Sequence, residues 1–435
     1  MHTGQPSVYV AAAPRTGARP DRRPPGDEQN TLRTLARMAM SGGISGLQDM
    51  ESALISYGSN PASGQDDAPY QDDAPYQDAA RTIRTLEGRG YIRDDKRWLT
   101  RRGFEAVGRV LLGDIMRDLG MGGPGGHHTT FPGAGETVTD ATRPHEPGDD
   151  MSGISVPDTL LNSLRRTGDA AFPLDIRPGD IEQYVTEADS RVAVAYCLDL
   201  SSTMRTRLNN GMSRIEAAKR ALWTLYTLNA RHYPGDSIHV IGFASMACRI
   251  RPHDIPYLGT FTANDDFLHY TNYQAALRLA RRMLRGEAAE NRRIVMITDG
   301  QPSACFVESE RQRRGILAEK PYSHFYAPDP ALVSRVEGEK GLRLDADPRM
   351  QVYLCYRYRG VDGRVGSLTE SEARRCRREG INLDYVVISD EEELAGYVEG
   401  LAAETGGRMY WARDGGMTGM LVSDYVRGAK AAKLR

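Results

Sequence analysis

Apolar and polar positions change their spacing along the chain, and the change divides it. From residue 191 onward, short apolar runs alternate with segments of helical period. Val192–Leu198 (Val-Ala-Val-Ala-Tyr-Cys-Leu) carries no charge and is rich in β-formers, the pattern of a strand buried on both faces of a parallel sheet. Ser213-Arg-Ile-Glu216 reads as a capping box opening a helix with Ile215, Ala218, Leu222, Leu225 and Leu228 on one face. Strands follow at Asp236–Phe243 and Arg293–Asp299, with a short edge strand at Ala247–Ile250. Between them, Thr271-Asn272 precedes a helix with Ala276, Leu277, Ala280, Met283 and Leu284 inward. Residues 301–366 break the alternation as a long irregular insertion with one strand-like run at Gln351–Tyr356. Beyond it, Thr369-Glu-Ser-Glu372 caps a helix that stops at Gly380, Ile381–Ile388 is a strand, Ser389–Thr405 a helix and Met409–Ala412 a last strand. The expectation is an α/β fold over residues 191–425, a doubly wound and mostly parallel sheet.

Residues ahead of this region pattern differently. Residues 1–30 hold Pro, Arg, Gly and Asp with little to bury, and read as a disordered tail. Residues 31–120 read as a smaller helical module, with a weak helical pattern at 31–57 and an acidic repeat loop at 65–80. That loop contains Gln65-Asp-Asp-Ala-Pro-Tyr70 followed by Gln71-Asp-Asp-Ala-Pro-Tyr76. A helix ending at Gly88-Arg-Gly90, a tight hairpin through Trp98-Leu99-Thr100 and a helix from Arg101 to Leu119 resemble the wing end of a winged-helix domain. Residues 121–190 read as a Gly/Pro-rich linker and lead-in, with a short helix near Asp158–Leu164 and a run at Asp180–Glu187.

Composition narrows the function. A net charge of −2 with 26 % charged residues supplies no field calling for nucleic acid or membrane. The five cysteines lack any C-x-x-C pair, which fits a reduced cytoplasmic protein better than a disulfide scaffold or zinc site. No apolar run approaches the ~20 residues that span a bilayer. His127-His128 lies on a loop without a third ligand nearby, and Arg374, Arg375, Arg377 and Arg378 suit the solvated end of a helix.

The chemistry lies at strand ends. Three places put oxygen donors after successive elements: Asp199/Ser201/Thr203, Thr271, and Asp299 followed by Gly300. Carboxylates with hydroxyls suit a hard dication, and in open α/β sheets ligands bind at the carboxyl ends of strands. The bland alternative for each piece alone is a helix cap or a turn. In this order the residues resemble the metal-ion-dependent adhesion site (MIDAS) of von Willebrand factor A (VWA) domains, with Thr203 where the family usually has Ser. The resemblance implies Mg²⁺ as cofactor, with Mn²⁺ or Ca²⁺ as substitutes. It further implies ligation by Ser201, Thr203 and Thr271, with Asp199 and Asp299 acting largely through waters.

Gly135-Glu-Thr137, Thr142-Arg-Pro-His-Glu146, Gly148-Asp149, Pro157-Asp-Thr-Leu160 and Cys197–Met204 are similar to a bacterial, CoxE-like group of these domains. That group works with MoxR-type or magnesium-chelatase-type AAA+ ATPases. The implied function is a non-enzymatic adaptor gripping an Asp or Glu of a partner, the partner being such an ATPase or its client. Two alternatives stay open: a subunit of an ATP-dependent metal chelatase, and a winged-helix DNA-binding regulator acting through residues 77–120.

Overall fold

The structure is a computed structural model. It describes residues 26–58, 74–118, 132–187 and 191–411, apart from short gaps at 42–43, 45, 146–152, 169–172, 348, 356–359 and 390. The paired histidines and the first copy of the acidic repeat lie outside the described residues.

The chain begins with helices α1 (Gly26–Ser41), α2 (Leu47–Gly58), α3 (Ala74–Gly88) and α4 (Arg101–Asp118). Two expectations are corrected here. Residues 26–30 of the expected tail belong to α1, and residues 74–80 of the expected acidic loop belong to α3. Between α3 and α4 the backbone makes a small hairpin closed by an Ile92–Leu99 bridge and an Arg93 N–H to Trp98 carbonyl bond of 2.8 Å.

Residues 132–187 are a compact piece of their own and not a linker. Strands β1 (Pro132–Pro144) and β2 (Glu182–Glu187) pair antiparallel, and α5 (Val156–Thr167) packs beside them. Helix α5 stops at Gly168, whose φ of 67° is the left-handed conformation that suits glycine. Arg166 on α5 is tied to the buried Asp180 at 2.9 Å, fixing the chain's return toward β2.

The remaining elements build the expected α/β fold. In chain order they are β3 (Val192–Asp199), α6 (Arg214–His232), β4 (Ser237–Phe243), β5 (Ala247–Ile250), α7 (Tyr273–Leu284), β6 (Asn291–Thr298), β7 (Ala304–Val307), α8 (Glu310–Glu319), β8 (His324–Tyr326), α9 (Pro330–Lys340), β9 (Gln351–Leu354), α10 (Gly363–Arg378), β10 (Ile381–Val387), α11 (Glu392–Thr405) and β11 (Arg408–Trp411). The main sheet has the order β11-β10-β6-β3-β4-β5, parallel except for the edge strand β5. The first strand, β3, therefore sits beside the fourth, β6. Connections run outward from that pair in both directions, so the topological switch point lies between these two carboxyl ends.

Helix α6 is buried nearly all round, beyond the single apolar face its spacing predicts. The reason is that α1 and α4 cover its far side, within the same compact unit as the sheet. Trp223 is fully buried, stacks on Phe104 of α4 with ring centroids 4.6 Å apart, and donates its indole N–H to the Phe104 carbonyl at 3.2 Å. Such a stack adds about 0.5–1.5 kcal/mol beyond area burial. Gly108 permits the approach: a Cβ there would lie 2.2 Å from the Thr227 hydroxyl oxygen.

Residues 301–366 are not irregular. They fold as an antiparallel sheet in the order β7-β9-β8, carrying α8 and α9. Its own small core joins Cys305, Val307, Ile316, Tyr353 and Val365. Helix α10 starts at Gly363, capped by the Asp362 carboxylate, so the expected cap at Thr369 falls inside the helix. None of the five cysteines forms a disulfide.

Candidate metal centre

The carboxyl ends of β3 and β6 carry Asp199 and Asp299, both wholly buried. Strand β3 ends in a tight turn because Asp199 Oδ1 accepts the Ser201 N–H at 2.8 Å. The other oxygen, Oδ2, accepts the Thr298 hydroxyl at 2.7 Å, joining the two strand ends side chain to side chain. Ser201 and Thr203 follow with hydroxyl oxygens 3.1 Å apart. Burial, and then the neighbouring charge of Asp299, push the Asp199 carboxyl up to about 7, against the bonds from Ser201 and Thr298 that favour its charged form.

Thr271 is buried just before α7, where Asn272 caps the helix by accepting the Ala275 N–H at 3.3 Å. The first residues of the insertion clamp it. The Ser303 hydroxyl accepts the Thr271 N–H at 3.1 Å, and the Thr271 carbonyl accepts from Ser303 N–H at 2.8 Å and Ala304 N–H at 3.0 Å. Two residues on, the buried Tyr273 hydroxyl donates to Thr298 Oγ1 at 3.2 Å. The Thr271 segment is thus laced to the same threonine that holds Asp199.

Asp299 is held differently. Its Oδ2 is 3.1 Å from Nη1 of Arg214, a residue 4 % exposed, while Oδ1 is buried with no hydrogen-bond partner. The next residue, Gly300, has a φ of 141°, which any other residue would adopt only under strain. Arg214 also reaches Glu391 Oε1 at 3.1 Å and Ser389 Oγ at 3.4 Å, and its Nε lacks a partner. The capping box read from the sequence is present, with Ser213 accepting from Glu216 N–H and Glu216 accepting from Ser213 N–H, and it sets Arg214 as the first residue of α6.

Sequence reasoning passed over Arg214 and Ser303. A signal for the first was there: a cation in the first turn opposes the helix dipole, so an Arg at that place needs a carboxylate to face. Ser303 offered none, because its role depends on where the insertion meets Thr271. Within the arginine cluster, Arg374 pairs with Glu404 of α11 at 2.5 Å, Arg377 donates to the Glu404 carbonyl and Arg375 pairs with Glu372 of its own helix.

The donor set fits a hard dication. Among the described residues no group of three or more His, Cys, Asp or Glu could hold a metal ion, so an ion bound here would need hydroxyl ligands beside the two carboxylates. That composition favours Mg²⁺ over zinc or copper. The unpartnered Oδ1 of Asp299 is a buried acceptor of the kind an ion or its water would satisfy.

Residues 192–323 match the family model described as "Rv0959-like protein, vWA domain". That stretch is thus similar to the vWA domain of Rv0959-like proteins. Residues 137–186, nearly the whole of the β1–α5–β2 piece, match the model described as "Rv0959-like protein, third domain". The chain is 26 % identical over 306 residues to the protein Rv0959 of Mycobacterium tuberculosis and, to the same extent, to Mb0984 of Mycobacterium bovis. The match covers 66 % of this chain and 43 % of either relative, so the chain spans less than half the length of the curated relatives it matches. Solved structures similar to it include the PilB minor pilin of Streptococcus sanguinis (TM-score 0.42, 15 % identity, 58 % of this chain and 65 % of that one). Another is the vWF domain of the type V pili tip protein Mfa5 from Porphyromonas gingivalis (TM-score 0.38, 12 % identity, 57 % and 97 %). Among the described residues, no helix is long and apolar enough to cross a membrane.

Proposed function

We propose that this chain is a Mg²⁺-dependent protein-binding adaptor. Asp199, Ser201, Thr203, Thr271 and Asp299 hold the ion, and one coordination position is left to an Asp or Glu carboxylate of a partner. The observation that carries the reading is the unpartnered buried Oδ1 of Asp299, at the switch point of the vWA sheet and beside a carboxylate already fixed by Ser201 and Thr298. When bound, the metal supplies an electrophilic position for an oxygen anion. The residues do the rest. Ser201 and Thr203 offer adjacent neutral oxygens that add no charge, the Ser303 clamp fixes Thr271, and the turn after Asp199 keeps its carboxylate aimed by backbone and hydroxyl donors.

The likeness of residues 135–160 and 197–204 to CoxE-like proteins nominates a MoxR-type AAA+ ATPase, or its client, as the partner. The test is co-purification of such an ATPase with the full chain in Mg²⁺ and in EDTA, for the wild type and Asp199→Ala. Retention in Mg²⁺, lost with EDTA and lost with Asp199→Ala, is the expected result. Retention unchanged in all three conditions would remove the metal grip from the account.

A further inference from the structure

A buried arginine at the first turn of a helix is doubly disfavoured: it faces the helix's positive end and it is stripped of water. Arg214 accepts both costs at 4 % exposure, and its best-buried bond is to Asp299, a proposed ligand of the metal. Here Arg214 Nε and Asp299 Oδ1 are both buried without partners. The remaining bonds of the guanidinium lead to Ser389 and Glu391 at the start of α11, and the Glu391 side chain is 63 % exposed.

Taking the metal reading above as its premise, we infer that Arg214 is a built-in counter-cation of the metal centre, and that Glu391 sets how strongly it acts. The two strand-end carboxylates set against one guanidinium leave a net single negative charge to hold a dication. The site then binds its metal weakly by itself. It binds more tightly once a visiting carboxylate restores the missing charge, and by linkage the metal strengthens the visitor equally. Glu391 draws the guanidinium toward solvent, so neutralising Glu391 concentrates the Arg214 charge on Asp299. The two substitutions therefore act in opposite directions, which a bracing role does not predict.

The experiment is Mn²⁺ binding to the full chain at pH 8, read by the loss of the free-ion electron paramagnetic resonance signal, with thermal melts confirming the fold. Arg214→Met is expected to tighten Mn²⁺ roughly tenfold or more, the scale of one charge removed at close range in a buried setting. Glu391→Gln is expected to weaken it by about two- to threefold, as for a half-screened charge. Acetate, the smallest carboxylate visitor, should tighten Mn²⁺ binding more in the wild type than in Arg214→Met. Equal or weaker binding by a folded Arg214→Met, with Glu391→Gln unchanged, would overturn the inference while leaving the metal reading intact. Absence of Mn²⁺ binding in all variants would overturn the metal reading and the inference with it. Should Arg214→Met fail to fold, Arg214→Gln, which keeps a donor for Asp299 and loses the charge, takes its place, with tighter Mn²⁺ expected and equal or weaker binding overturning the inference.

Discussion

Asp199 and Asp299 end neighbouring parallel strands at equal depth, and the chain treats them in opposite ways. Asp199 is gripped on both oxygens by neutral donors, one from its own turn and one from the adjacent strand. Asp299 is gripped on one oxygen by a buried guanidinium and on the other by nothing. The first arrangement fixes a carboxylate in place without neutralising it, and burial then leaves it short of a counter-charge, as its raised affinity for a proton records. The second balances the charge and leaves a lone pair unused. Position at the switch point comes with the fold, whereas the electrostatic role of each carboxylate is set by residues on other elements.

The largest expected effect separates the two on stability. In EDTA, Asp299→Asn should cost about 3 kcal/mol, because it takes the buried carboxylate from a buried guanidinium and leaves it only the exposed Glu391 as a charged partner. Asp199→Asn should cost only about 1 kcal/mol, because an amide can still accept from Ser201. Chemical denaturation midpoints would show it, and equal costs would end the contrast. Next, Mg²⁺ at a hundredfold excess over its dissociation constant should raise wild-type stability by about 2.7 kcal/mol, and Asp199→Asn should lose that gain.

A smaller effect carries the contrast along α6, where Arg214 has carboxylates and Lys219, 2 % exposed, has the Met40 carbonyl at 3.2 Å. Burial lowers the Lys219 ammonium to about 8. The folded state therefore binds fewer protons than the unfolded chain between pH 8 and the ordinary lysine range, and stability should rise with pH there. The rise should be about 1–2 kcal/mol up to pH 9.5, measured by denaturation at each pH, and Lys219→Met should flatten it. Smallest is Ser303→Ala, expected to cost about 1 kcal/mol by taking the acceptor from the Thr271 N–H, and to weaken Mn²⁺ binding a few-fold.

Periodicity alone was enough to place β3, β4, β6, β10 and their helices, because strands buried on both faces and helices with one apolar stripe leave strong patterns. It could not say that α6 is buried on its other side, since Trp223 reads the same in a core and at a surface. The insertion was misread as irregular because its strands are only three or four residues long, too short for alternation to register. The β1–α5–β2 piece was misread as a linker because Gly and Pro within β1 mask its strand. At the candidate site, the oxygen donors announced themselves by residue type. The guanidinium and the Ser303 clamp act across distances in sequence that no local pattern encodes.

Ser303 has one more bond of interest: its carbonyl accepts the Cys355 N–H at 2.9 Å. The two ends of the insertion are thus tied together at the rim, and its middle is tied to the sheet again, where Leu344 bridges Cys248 of β5 and the Ala247 carbonyl accepts the Asp345 N–H at 2.7 Å. A segment moored at the rim and at the edge strand can change length between those moorings at small cost, whereas exchanging it whole would strip β5 of those backbone partners.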